Sequence, residues 1–145
     1  MRFGELVQLY FDRSNALQSY WTLYVVVIGG LLAISALRSQ PDFVAGVLVT
    51  ILFTCFAYKN LGAIHDAIDQ RQATLQAIQA YRTSGPENDV DLPRGLLLPK
   101  LVQDDYSDTR TFHISCDVLT ILTMWLMQLR RFRETTKQSR AVLPI

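Results

Sequence analysis

The sequence predicts an all-α membrane protein: a transmembrane helical hairpin plus a third span, with its first two helices extended outside the membrane as a stalk. Three observations carry this reading. Two uncharged apolar segments, 20–37 and 43–58, are joined by Arg38-Ser39-Gln40-Pro41-Asp42. No residue from Ser14 to Leu37 is charged, and a bilayer core takes about 20 apolar residues in helical form. A third, mostly apolar segment covers 111–129 and is followed by a basic tail. The competing reading of the hairpin is a buried pair of helices in a soluble all-α domain, and the long uncharged run argues against it.

Length and composition fit this layout. A chain of 145 residues makes one domain. Half of its residues are hydrophobic while the mean hydropathy is only mildly positive, so the apolar residues must be concentrated in segments. A net charge of +1 gives no footprint for nucleic acid. Cys55 and Cys116 both lie in apolar segments and read as small buried hydrophobes rather than a disulfide framework.

Residues 1–19 form an amphipathic helix. Phe3, Leu6, Tyr10, Leu17 and Tyr20 share one face, and Glu5, Gln8, Asp12 and Asn15 lie opposite. The helix either runs straight into the first span or breaks at Ser14-Asn15. It either lies on the membrane surface or stands up to pack on another helix; its low net charge weakens the first version. Span 1 covers 20–37. It is not a cleaved leader, because Arg2 and Arg13 are balanced by Glu5 and Asp12 and a second span follows at once. Tyr20, Trp21 and Tyr24 on span 1, with Tyr58 at the end of span 2, would share one interface as an aromatic belt. Gly29 and Ala33, four apart, offer a smooth strip for close helix packing, and Ala45-Gly46 a second one.

Span 2 covers 41–58. Ser39 and Asp42 have capping-box spacing, and Pro41 suits a first helical turn, so the helix should begin near Pro41. It should then continue through 59–82, where Leu61, Ile64, Ile68, Leu75 and Ile78 recur at helical steps, interrupted by Arg71. A helix from Pro41 to Arg82 is about 63 Å long, roughly twice the apolar thickness of a bilayer. Half of it must protrude, on the side where the N-terminal helix also emerges. The two apolar stripes can then pack as the stalk.

Ser84-Gly85-Pro86 ends this helix and opens a linker over 83–110. Leu96-Leu97-Leu98 between two prolines is too short to span and should tuck against the stalk or the interface. Asp104, Asp105 and Asp108 read as helix-start carboxylates, since the spacing of a calcium loop is absent. The third span, 111–129, carries His113, Asp117, Thr120 and Gln128 on one face, which should turn toward the other two helices. The alternative is an amphipathic helix on the membrane or on the stalk. In the tail, 130–145, Arg130, Arg131 and Arg133 are placed to meet anionic lipid.

Positive charge leaves the topology balanced. With three spans, eight Lys/Arg (Arg2, Arg13, Lys59, Arg71, Arg82, Arg94, Lys100, Arg110) face six (Arg38, Arg130, Arg131, Arg133, Lys137, Arg140). The tail's position beside the membrane favours a cytoplasmic C-terminus. With two spans the division becomes thirteen to one, which fits the positive-inside rule well.

No glycine-rich phosphate loop, nucleophile elbow or zinc-protease motif is present, and the expectation is a protein that is not an enzyme. Both histidines have an aspartate four residues later: His65–Asp69 and His113–Asp117. Two such pairs on adjacent helices would suit a divalent metal. Ordinary i,i+4 ion pairs and a structural polar contact between helices are the plainer readings. The leading function is a non-enzymatic accessory or self-assembling bundle, partnered by lipid and by a second copy or another membrane protein, with no cofactor, in the inner membrane of a bacterium. One alternative is an oligomeric channel or transport component with a polar path along the third helix. Another is a metal- or cofactor-binding membrane protein using the His–Asp pairs.

Overall fold

A computed structural model of the protein describes residues 3–38, 40–84 and 105–141, and the side chains among them except at 81–84 and 138–141. The described residues form three helices: α1, Phe3–Leu37; α2, Phe43–Ser84; and α3, Tyr106–Ala141. Each is long and apolar enough, by length and composition, to cross a membrane. The expected behaviour of Leu96-Leu97-Leu98, the capping role of Ser39 and the helix-start role of Asp104 fall outside the described residues.

α1 is continuous. Ser14, Ser19 and Thr22 turn their hydroxyls back to the carbonyls of Tyr10, Asn15 and Gln18 at 2.9 Å, so these polar residues are satisfied within the helix and do not break it. Phe3, Leu6, Tyr10 and Leu17 are all buried, as their spacing predicts. They pack on α2 in two clusters. Phe3, Leu6 and Tyr10 meet Leu75 and Ile78; Leu17 meets Ile64, Ala67 and Ile68. Of the two readings for residues 1–19, packing on another helix is the one observed. Arg71, read from the sequence as an interruption of the α2 stripe, is instead buried within it. Its guanidinium lies 5.6 Å from the centre of the Tyr10 ring. A planar, weakly hydrated guanidinium can stack on an aromatic face where a compact ammonium would not.

The turn between α1 and α2 is tied from both sides. Asp42 accepts a hydrogen bond from the Ala45 amide at 3.0 Å, while its own carbonyl accepts from Gly46. That makes Asp42 the N-cap, so α2 begins at Phe43 rather than Pro41. At the other end, Arg131 donates to the carbonyls of Ser35 and Ala36, the latter at 3.1 Å. These belong to the last turn of α1, whose carbonyls have no partner in their own helix.

α3 begins at Tyr106, earlier than the 111 expected. Asp105 captures the Ser107 amide at 2.9 Å, and the Tyr106 ring settles 4.2 Å from that of His65 on α2. Cap and ring contact together fix the first turn. From there α3 runs antiparallel to α2 and parallel to α1. Tyr106 lies beside His65, His113 beside Asn60, Trp125 against Thr50 and Phe43, and Arg131 against the end of α1. α3 therefore lies along the hairpin's apolar segments and not only beside the 59–80 part of α2.

Close approach occurs at Gly46, where an added Cβ would sit 3.6 Å from Gln128 Nε2 and 3.9 Å from the Trp125 ring. Gly29 and Gly30 have no such neighbour, and Ala33 is exposed, so the first small-residue strip is not used inside the chain. Cys55 is likewise exposed, contrary to its reading as a buried residue; Cys116 is half-buried, and both are free thiols. Ile78 is fully enclosed between α1 and α2. Ile78→Ala should lower stability by about 2–5 kcal/mol through lost burial and the cavity left behind. Amide hydrogen exchange over 3–17 and 64–80 should accelerate, while the exposed-site control Gln76→Ala leaves it unchanged.

Candidate functional site

Where the three helices meet, polar side chains are enclosed. His113 has no exposed surface and Tyr24 is 2 % exposed; Asn60 is buried as well. Tyr24 stacks on the His113 imidazole, ring centres 4.0 Å apart, with Trp21 closing the edge 5.8 Å from both. All three helices contribute: Trp21 and Tyr24 from α1, Asn60 from α2, His113 and Asp117 from α3.

The hydrogen bonds form one connected set. His113 Nδ1 lies 3.0 Å from Asp117 Oδ2, and Nε2 lies 3.3 Å from the Asn60 amide nitrogen. A neutral imidazole protonated on Nδ1 satisfies both, donating to the carboxyl and accepting from the amide. Tyr24 Oη is 2.8 Å from Asp117 Oδ1 and 3.1 Å from the His113 carbonyl. Asp117 is the one member with an opening: 18 % of its side chain is exposed, into a groove of about 400 Å³ between α2 and α3. Tyr106, Arg110, Tyr58 and Leu61 line that groove toward the start of α3, and Ile121 toward the turn between α1 and α2.

No protein-family model, curated protein or solved structure matches the chain. What the site can do is therefore read from its geometry.

The two His–Asp pairs do not converge. His65 makes a 3.6 Å surface pair with Asp69 and leans on Tyr106, while His113–Asp117 lies within the bundle. Among the described residues no three His, Cys, Asp or Glu side chains come close enough to share a metal ion. Thr120 is buried but spends its hydroxyl on the Cys116 carbonyl at 2.7 Å. Gln128 lies against Gly46, and its Oε1 is buried without a hydrogen-bond partner. These two residues share a face with Asp117, but no hydrogen bond links them to it. Of the basic residues assigned to lipid, Arg131 is committed to the end of α1, and Arg130 is exposed and paired with Glu134 at 3.1 Å. Arg133 is exposed.

Sequence reasoning found His113 and Asp117 and missed Tyr24 and Asn60. Tyr24 reads as a belt residue because it follows Tyr20 and Trp21. The available signal was its heptad offset from Leu17 on the buried face. Asn60 had no such signal beyond being a polar residue one turn before Ile64. Tyr24→Phe keeps the ring on His113 but removes the bond to Asp117. It should cost about 1–3 kcal/mol, measured by unfolding of the purified protein in mixed micelles. Tyr58→Phe, at an exposed ring, serves as the neutral control.

Proposed function

We propose that the protein is a three-span integral membrane protein. Its bundle is fastened by the Tyr24–Asp117–His113–Asn60 cluster and carries the paired ends of α1 and α2 as a stalk outside the bilayer. The supporting observation is an inversion of polarity along the helices. In their most apolar windows only 6 %, 22 % and 17 % of residues are buried within the chain, for α1, α2 and α3 respectively. Val25, Ile34, Leu48, Leu52, Leu119 and Leu126 all point outward there. At the other end apolar residues turn inward, onto Ile64, Ile68 and Ile78. An apolar exterior of that extent is stable in hydrocarbon and a liability in water.

Registration supports the third span. Arg131 lies at the end of α1 and His113 at the level of Tyr24, so any bilayer around the hairpin also surrounds 113–129. At about 1.5 Å per residue, the cluster sits some 20 Å from the turn, toward the stalk side of a ~30 Å core. A polar cluster at that depth must satisfy itself, because lipid offers no partners. Its role in this reading is to specify which helix faces meet, and the protein acts as a non-enzymatic membrane scaffold or accessory subunit. Arg130 and Arg133 sit at the turn side, where anionic headgroups would lie. Self-assembly is carried by the exposed Gly29, Gly30 and Ala33, since α1 already covers the α2 stripe in the stalk. A transport role is the second reading, favoured by the one opening of the cluster, at Asp117. Unchanged flux of ions or solutes after Asp117→Asn would count against it.

Topology tests the main reading. Single cysteines are placed at Gln40, Gln76 and Lys137, with Cys55 and Cys116 replaced by alanine. A membrane-impermeant thiol reagent should label positions 40 and 137 from one side and position 76 from the other. Labelling of 76 and 137 from the same side would give two spans; labelling of all three from one side would remove the membrane hairpin altogether.

A further inference from the structure

We propose that the Asp117–Tyr24 contact is a proton-binding site: the cluster takes one additional proton on Asp117 Oδ1, and exchanges it through the α2–α3 groove at the stalk end. The inference comes from counting hydrogens. Four short contacts join the cluster: Asn60 to His113 Nε2, His113 Nδ1 to Asp117 Oδ2, Tyr24 Oη to Asp117 Oδ1, and Tyr24 Oη to the His113 carbonyl. Each needs one hydrogen. With Asp117 as a carboxylate, the supply is three: one from the Asn60 amide, one on a neutral imidazole, one on the tyrosine hydroxyl. Tyr24 then faces two acceptors with a single hydrogen.

A proton on Asp117 Oδ1 resolves this without moving an atom. The carboxyl O–H donates to Tyr24 Oη, Tyr24 donates to the His113 carbonyl, and Oδ2 still accepts from Nδ1. All four contacts are then filled and the cluster carries no net charge, which is the inexpensive state where solvent is excluded. The other place for the proton is His113 Nε2. There it would point at the Asn60 amide nitrogen, leave Tyr24 with two acceptors, and set an imidazolium in a site with no exposure.

Few other charges bear on the site. α1 contributes Tyr24. From α2 the groove presents Tyr58. α3 contributes His113 and the neighbouring Cys116, with Tyr106 and Arg110 lining the groove on the stalk side. Arg110 is exposed and lines the groove. The argument rests on hydrogen-bond geometry and not on the membrane placement, so detergent-solubilised protein suffices for the test.

The measurement is infrared spectroscopy of protein labelled with ¹³C-carboxyl aspartate, with ¹⁵N NMR of histidine, across the pH range in which the protein stays folded. As pH falls, the difference between the wild-type and Asp117→Asn spectra, which cancels the nine other aspartates, should develop a carboxylic-acid C=O band, and that band should shift in Tyr24→Phe, where the carboxyl proton loses its acceptor. His113 should stay neutral and Nδ1-protonated while that band forms. Should Asp117→Asn fail to fold, Asp117→Glu, which carries no aspartate label at the site, supplies the subtraction; should Tyr24→Phe fail, the difference band and the histidine signal decide, and a protonated Asp117 together with a neutral, buried histidine supports the site. Conversion of His113 to imidazolium while Asp117 remains a carboxylate overturns it. So does a difference spectrum without such a band anywhere in the folded range, or a difference band that does not respond in folded Tyr24→Phe.

Discussion

The hydrogen bond from Tyr24 on α1 to Asp117 on α3 sets the registration on which the bundle depends. It joins residues 93 apart in sequence, at 2.8 Å. Once it forms, the imidazole of His113 is carried under the tyrosine ring and its far nitrogen to Asn60 on α2. One contact thus brings a polar atom from each helix to the same level. Apolar faces slide over one another at little cost, because one leucine can replace another in a neighbour's groove. Polar atoms do not, because each needs a partner at about 3 Å and in a particular direction. The cluster therefore selects among the many alignments that the apolar packing alone would allow.

The rest of the architecture follows from helices whose surroundings change along their length. α2 obeys one rule near Ile78, where apolar side chains turn inward, and the opposite rule near Leu48, where they turn out. Backbone hydrogen bonding is indifferent to that change, so the helix passes through it without a break. The aromatic and polar residues Trp21, Tyr24, Asn60, Tyr106 and His113 gather where the rule reverses, and side chains with one apolar and one polar part are suited to such a boundary.

Much of this was legible in the sequence, and the parts that were not share a cause. The hairpin, the stripes Phe3–Leu6–Tyr10–Leu17 and Ile64–Ile68–Leu75–Ile78, and the polar face of α3 are patterns within one helix, and periodicity reports them directly. What failed were contacts between helices. Arg71 looked like a flaw in its stripe because the Tyr10 ring it stacks on lies in another helix. Gly29 looked like a packing strip because small residues mark close approach without saying to what. The start of α3 was placed late because Tyr106 gains its reason for being helical from His65. In the site itself, the i,i+4 spacing of His113 and Asp117 was visible, whereas Tyr24 and Asn60 joined only through the third dimension.

The pairing of Arg131 with the carboxyl-terminal carbonyls of α1 gives the bundle a second fixed point, fourteen residues along α3 from Asp117. Two fixed points on one rigid rod act like a pair of rivets. A single attachment would let α3 pivot or screw about its axis, but two widely spaced ones on the same partner helix remove both freedoms. A displacement of α3 by one turn would have to break both fastenings at once, since the spacing between them is set by the helix itself. Mechanical input to the tail is thus delivered to the turn and the polar cluster together.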